Sequence, residues 1–211
     1  MVIDDSLLPI LIDTARGNWD KWRDVFEHGT PVGTNPLLAD PARFGAFCKE
    51  YSVGRTIREG TRNDFRVELC QPLFSDAIRD DTGKAIDAFE ERMRTRFGTI
   101  RRRVGAHDGT PGRVISVLSK VAAFVRPERF VAWDTFAKRG VNLVQSYAPS
   151  RQFGNYARYL EGFDKVWNGE IGQQVRDYAI RTGAHGLEVE PRFLRRVLDV
   201  YLMKCGGRWS G

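Results

Sequence analysis

The chain reads as all-α, a compact multi-helix domain. Apolar residues recur with the 3.6-residue period through most of its length, and no stretch shows sustained period-two alternation between hairpin turns. Proline and glycine punctuate the starts and stops of the periodic segments. Its 211 residues suffice for a single core, or for two small lobes sharing one. If there are two lobes, the glycine-rich stretch 98–112 is where they meet.

The first helix is GNWDKWRDVFEHG, which puts Trp19, Trp22 and Phe26 on one face and closes at Gly29. DPARFGAFCKEY follows, with Asp40 as N-cap and Pro41 at the first helical position. Thr61 and Asp64 form an acidic variant of a capping box ahead of FRVELCQPLF, which Pro72 interrupts. After the turn DDTG, KAIDAFEERMRTRF carries Ile86, Phe89, Met93 and Phe97 in one stripe. GTIRRRVGAHDGTPG, residues 98–112, is the longest glycine-rich connection and the expected hinge or ligand-facing loop. A helix then runs from Arg113 to Arg126 and stops at Pro127, and the next starts at or just after Asp134. SRQFGNYARYLEGFDKVW, IGQQVRDYAIRTG and PRFLRRVLDVYLMKCGG complete the chain, the last opened by Pro191 and ended by Gly206 and Gly207.

Composition, 42% hydrophobic and 28% charged, is that of a soluble globular protein. No apolar run approaches the roughly 18 residues of a membrane helix. The N-terminus MVIDDSLLPILIDTARG is acidic where a secretory signal is basic, so a cytoplasmic location is expected, with no membrane partner. Cys48, Cys70 and Cys205 are widely spaced and odd in number, which suits neither a disulfide framework nor a zinc knuckle. His28, His107 and His185 show no metal-ligand spacing. No metal or cofactor is expected.

The formal net charge is +6, and arginine supplies most of it. RMRTRFGTIRRR holds six arginines in twelve residues, and Arg192, Arg195, Arg196, Lys204 and Arg208 form a second cluster. Such a surface suits a polyanion, because each neutralised phosphate releases condensed counterions. The alternative is a solvated face, partly self-neutralised through Glu90 with Arg94 and Glu91 with Arg92.

One short stretch stands apart: SVLSKVAAFVRPERFVAWDTF, residues 116–136. Val114, Val117, Leu118, Val121 and Val125 share a helix face, and Lys120 falls at its edge beside Ser116 and Phe124. Apolar walls strip an ammonium of hydration and favour the neutral, nucleophilic amine. The alternative is a lysine whose stem covers the core while its head stays wet. Asp134 opens the next helix as N-cap. The tight corner between the two helices is expected to bring the amine and the carboxylate to one place.

Helix, short proline-containing connection, apolar pair and helix-opening aspartate, as in SKVAAFVRPERFVAWD, resembles the catalytic segment of the helix-hairpin-helix DNA glycosylases, particularly their 8-oxoguanine branch. The resemblance covers about a fifth of the chain. Three departures accompany it. The L-P-G-V-G hairpin expected before the lysine is absent, since RRRVGAHDGTPGRVIS offers glycines in another order. The interval from Lys120 to Asp134 is about one helical turn tighter than in the familiar enzymes. No cluster-binding cysteines are present, which sets aside the endonuclease III style of the family.

The resemblance implies that fold, with Lys120 and Asp134 as the catalytic pair acting on a modified base flipped out of double-stranded DNA. Phe124 and Trp133 are candidates for the base-pocket wall, or are ordinary core. Arg101, Arg102, Arg103 and Arg113 are the first candidates for phosphate contacts, and Arg151 and Arg158 follow. Tyr156, Tyr159, Phe163 and Trp167 form an aromatic stripe expected to pack against the final helix. Relatives of this hairpin-poor kind resemble proteins of bacterial antiviral gene neighbourhoods, which implies a role against phage DNA. Two further classes stay open: a catalytically silent helical nucleic-acid-binding module, and a helical interaction subunit whose arginines meet an acidic partner.

Overall fold

A computed structural model describes residues 3–27, 32–80, 82–101, 110–148, 152–182 and 186–207. Its helices are α1 (Leu8–Lys21), α2 (Arg23–Glu27), α3 (Pro36–Ala39), α4 (Pro41–Glu50), α5 (Arg62–Leu69), α6 (Pro72–Arg79), α7 (Lys84–Phe97), α8 (Ile115–Val125), α9 (Thr135–Val144), α10 (Tyr156–Asn168), α11 (Glu170–Arg181) and α12 (Pro191–Cys205). Among the described residues the named strands are two antiparallel dipeptides, β1 (Ile100–Arg101) and β2 (Thr110–Pro111), so the fold is all-helical.

The chain divides into two compact units. A central unit comprises residues 24–126; a terminal unit joins residues 1–23 to residues 127–211. The chain passes between them at 23–24 and at 126–127, while Gly98 and Gly112 both lie inside the central unit.

Aromatic packing builds the central core. Phe65 stacks on Phe44 (6.4 Å between centroids) and meets Phe97 edge-on (5.5 Å), and Phe74 lies 5.2 Å from Phe89. Each such fully buried side chain contributes about 1.5–3 kcal/mol through area removed from water. α7 follows its apolar stripe. Asp40 caps α4 through Ala42 N (2.8 Å), with Pro41 at the first position. Pro72 starts α6 rather than kinking α5, because it lacks the N–H that a continuous helix needs. The capping box at Thr61 does not form. Its hydroxyl turns back to donate to Arg58 O (2.9 Å), a local bond that competes with capping.

Beyond α7 the chain makes the β1–β2 ladder, closed by Gly112 N donating to Thr99 O (2.7 Å). A Cβ on Gly98 would lie 2.3 Å from Gly112 O, so the approach of these two backbones requires glycine.

In the terminal unit, α9 packs directly on α12. A Cβ on Gly140 would stand 2.0 Å from Leu202 O, and one on Gly206 1.9 Å from Phe136 O. α1 joins α12 through Trp19, whose ring meets Phe193 edge-on at 5.7 Å. The expected first helix starts earlier, at Leu8, and breaks at Trp22, so that Trp19 belongs to α1 and Phe26 to α2.

Candidate catalytic residues

In α8, nine of eleven residues are buried, and the two that are only half-buried, Ser116 and Ala123, lie on the same face as Lys120. Lys120, one turn from each, is 8% exposed, so it stands at the edge of the buried face. Its Nζ donates to Ser116 Oγ one turn earlier (3.2 Å). This contact supplies a partner for a group whose burial is otherwise costly.

The start of α8 is held by a carboxylate that sequence pairing assigns elsewhere. Glu90, 2% exposed on the apolar stripe of α7, accepts from Val114 N through Oε1 (3.0 Å). Arg113 Nη2 approaches its Oε2 (3.5 Å) and Asp87 Oδ1 (3.8 Å). Arg94 pairs with Glu91 (2.6 Å), not with Glu90. The available signal was Glu90's place one turn after Ile86, on the face the helix buries.

Asp134 caps α9 as its sequence position predicts. The residue is extended (φ −113°, ψ 143°), and Oδ1 accepts from Phe136 N (2.8 Å) and Ala137 N (3.4 Å). The cap occupies Oδ1, while Oδ2 takes no part in it. The half-buried side chain keeps this oxygen at the positive end of the helix dipole.

Two long-range anchors hold the connection that leads to Asp134. Tyr156 Oη donates to Val131 O (2.7 Å) and accepts from Val131 N (3.2 Å). Burial raises the pKa of this phenol far above its ordinary value, against the smaller lowering effect of the Val131 bond, so it remains a protonated donor. Arg195 Nη2 donates to Arg129 O (3.3 Å) and to Asp164 Oδ1 (2.9 Å). Neither anchor is visible in local sequence.

Of the proposed base-pocket residues, Phe124 is buried in the central unit, stacked on Phe26 (4.6 Å) and edge-on to Phe47 and Tyr51 (5.1 Å each). Trp133 is half-buried in the terminal unit. Its ring meets Tyr159 edge-on (5.6 Å), and Lys138 Nζ sits 4.0 Å from the ring centroid. On α10, Phe163 and Trp167 reach the last helix through the Arg195 guanidinium (5.0 and 5.7 Å), whereas Tyr156 and Tyr159 serve Trp133 and its connection.

Among the basic candidates, Arg113 is exposed beside Glu90 and Asp87, and Arg158 is exposed on α10. Arg101 belongs to β1. Arg102, Arg103 and Arg151 lie outside the described residues, as do the three histidines and Arg208. The second arginine cluster is largely neutralised within the fold: Arg195 bonds Asp164, Arg196 bonds Asp199, and Arg192 bonds Glu190 (2.5 Å).

Lys120 belongs to the central unit and Asp134 to the terminal unit, with the chain passing from one to the other between Arg126 and Pro127. Among the described residues no group of three or more His, Cys, Asp or Glu side chains is placed to hold a metal ion, and no helix is long and apolar enough to cross a membrane. No protein-family model, curated protein or solved structure matches the chain.

Proposed function

We propose that the protein is a DNA N-glycosylase with lyase activity, excising an oxidised or otherwise modified purine such as 8-oxoguanine and acting within bacterial defence against phage DNA. The observation that carries this reading is Lys120. A single amine is buried in an apolar helix, with its nitrogen beside a serine hydroxyl, and the chain continues through an anchored connection to a helix-capping carboxylate.

In the proposed reaction the flipped nucleotide loses its base as the C1′–N bond breaks, and the base departs with a proton. Asp134 stabilises the positive charge that develops on the sugar, an effect strengthened where water is excluded. The neutral Lys120 amine bonds to C1′, the C1′–O4′ bond opens with O4′ taking a proton, and a Schiff base results. Removal of a C2′ proton then expels the 3′ phosphate by β-elimination.

Borohydride trapping on 8-oxoguanine and abasic duplexes tests this. A covalent adduct that disappears in Lys120→Gln is expected. Lack of any adduct across a panel of modified duplexes, with DNA binding intact, would leave the silent nucleic-acid-binding module instead.

A further inference from the structure

At the α9–α10 turn the helix ends on a residue that such turns seldom use. Ser146 is left-handed (φ 57°), at the position after a helix where glycine is usual because a Cβ crowds the backbone there. Its N–H bonds Leu143 O (3.0 Å), and the next N–H, that of Tyr147, bonds Asn142 O (2.7 Å). Backbone strain of this kind persists where surrounding structure holds it and is concentrated at functional positions. Here it fixes an exposed aromatic residue, Tyr147, at a cavity of about 260 Å³.

The cavity is built from several elements. Phe153 is buried in its lining, and Gly162 leaves room for that ring, which a Cβ would approach to 3.0 Å. Gln145 is tethered, its Nε2 donating to Gly162 O (2.6 Å), with Oε1 outside the tether. Arg158 and Lys165 border the cavity from one face of α10, with Glu161 between them, so two cations face one carboxylate. An exposed ring, a second aromatic side chain in an otherwise polar lining, an oriented amide and an excess of positive charge match the parts of a nucleotide. The volume is below the roughly 300–1,000 Å³ of pockets that enclose whole drug-sized ligands, so the cavity suits one base.

We infer that this cavity takes one nucleotide of single-stranded DNA, with the base stacked on Tyr147 and the phosphate held by Arg158 and Lys165. Stacking on an aromatic residue tolerates any base, while the cations follow the backbone. The site rests on the reading of the chain as a DNA-binding protein, but its residues include neither Lys120 nor Asp134. It would hold a nucleotide from strand opened around the lesion.

The test uses the full chain with a single-stranded oligonucleotide carrying 4-thiothymidine. Irradiation is expected to place the crosslink on the peptide containing Tyr147. In anisotropy titrations Tyr147→Ala should weaken binding about tenfold and Tyr147→Trp should restore it. Replacing Arg158 and Lys165 by alanine should flatten the log–log salt dependence by about 0.7, the value for one lost single-strand phosphate contact. Crosslinks confined to other peptides, or wild-type affinity in folded Tyr147→Ala, overturn the site. If Tyr147→Ala does not fold, the crosslink map of the unaltered protein decides. Tyr147-dependent binding in a protein that forms no borohydride adduct would sink the glycosylase reading and leave this site standing; an adduct without Tyr147 dependence would do the reverse.

Discussion

The hydroxyl of Tyr156 is bonded to both polar groups of Val131, donating to its carbonyl (2.7 Å) and accepting from its amide (3.2 Å). One side chain thus satisfies two buried backbone groups in a segment that has no helix or sheet to satisfy them. Three residues later stands Asp134. The hydroxyl fixes the path by which the carboxylate arrives at the start of α9.

Removing that hydroxyl leaves the shape of the ring and takes away only the bonds. Tyr156→Phe should cost about 2–3 kcal/mol, because a donor and an acceptor are then buried without a partner. Urea denaturation measures the loss, and amide exchange at Val131 should quicken. Unchanged stability would show that the clamp holds nothing.

At Asp134, capping and catalysis separate by substitution. Asparagine caps as well as aspartate does, so Asp134→Asn should keep wild-type stability within about 0.5 kcal/mol while excision falls steeply for want of a negative charge. Asp134→Ala should lose both, with about 1 kcal/mol of stability gone with the cap. Equal excision by the aspartate and asparagine proteins would remove Asp134 from the chemistry. Thermal melts and single-turnover excision assays supply both readouts.

Two glycines in the terminal unit should respond with opposite signs. Gly140→Ala drives a Cβ to within 2.0 Å of Leu202 O, a backbone atom that cannot swing aside. α9 must then shift on α12 at a cost of about 3 kcal/mol. Gly17 is exposed on α1, and its Cβ would meet nothing within 4 Å. Gly17→Ala should stabilise by about 0.5–1 kcal/mol through helix propensity and a less disordered unfolded chain. Paired denaturation curves that fail to diverge would contradict the close α9–α12 contact.

What the sequence made legible was local. Asp40 and Asp134 announce their helices because a capping side chain and its N–H targets are two or three residues apart, and α7 shows itself through a stripe within fourteen residues. Thr61 carries the same signal and fails, since its hydroxyl has a nearer carbonyl in Arg58. Lys120 falls on a helix at the edge of its apolar face, as a wheel predicts, but its 8% exposure depends on what surrounds the helix, which a wheel does not contain. Glu90 to Val114 and Tyr156 to Val131 span 24 and 25 residues. Such partners follow from the way helices stack, which periodicity does not encode. Formal charge misleads for the same reason: Arg195 and Arg196 spend their charge on Asp164 and Asp199 inside the fold.

A last prediction concerns alkaline pH. Cys48 is buried on α4, and burial pushes its thiol from an ordinary 9.0 to about 11, with Arg62 opposing the rise. Between those values the unfolded chain has released the proton and the native protein still holds it. The native state then binds more protons, so stability must fall as pH rises through that window. Cys70, Cys205 and Tyr201 are shifted in the same direction by burial and add to the slope. Cys48→Ala should therefore show a shallower decline in urea midpoint from pH 9 to 11 than the natural protein. At pH 8 the Cys48 thiol should react with iodoacetamide far more slowly than a free thiol, because burial keeps it both protonated and covered. Rapid labelling of native Cys48 at pH 8, or parallel stability curves for the two proteins, would place this thiol in water rather than in the α4 core.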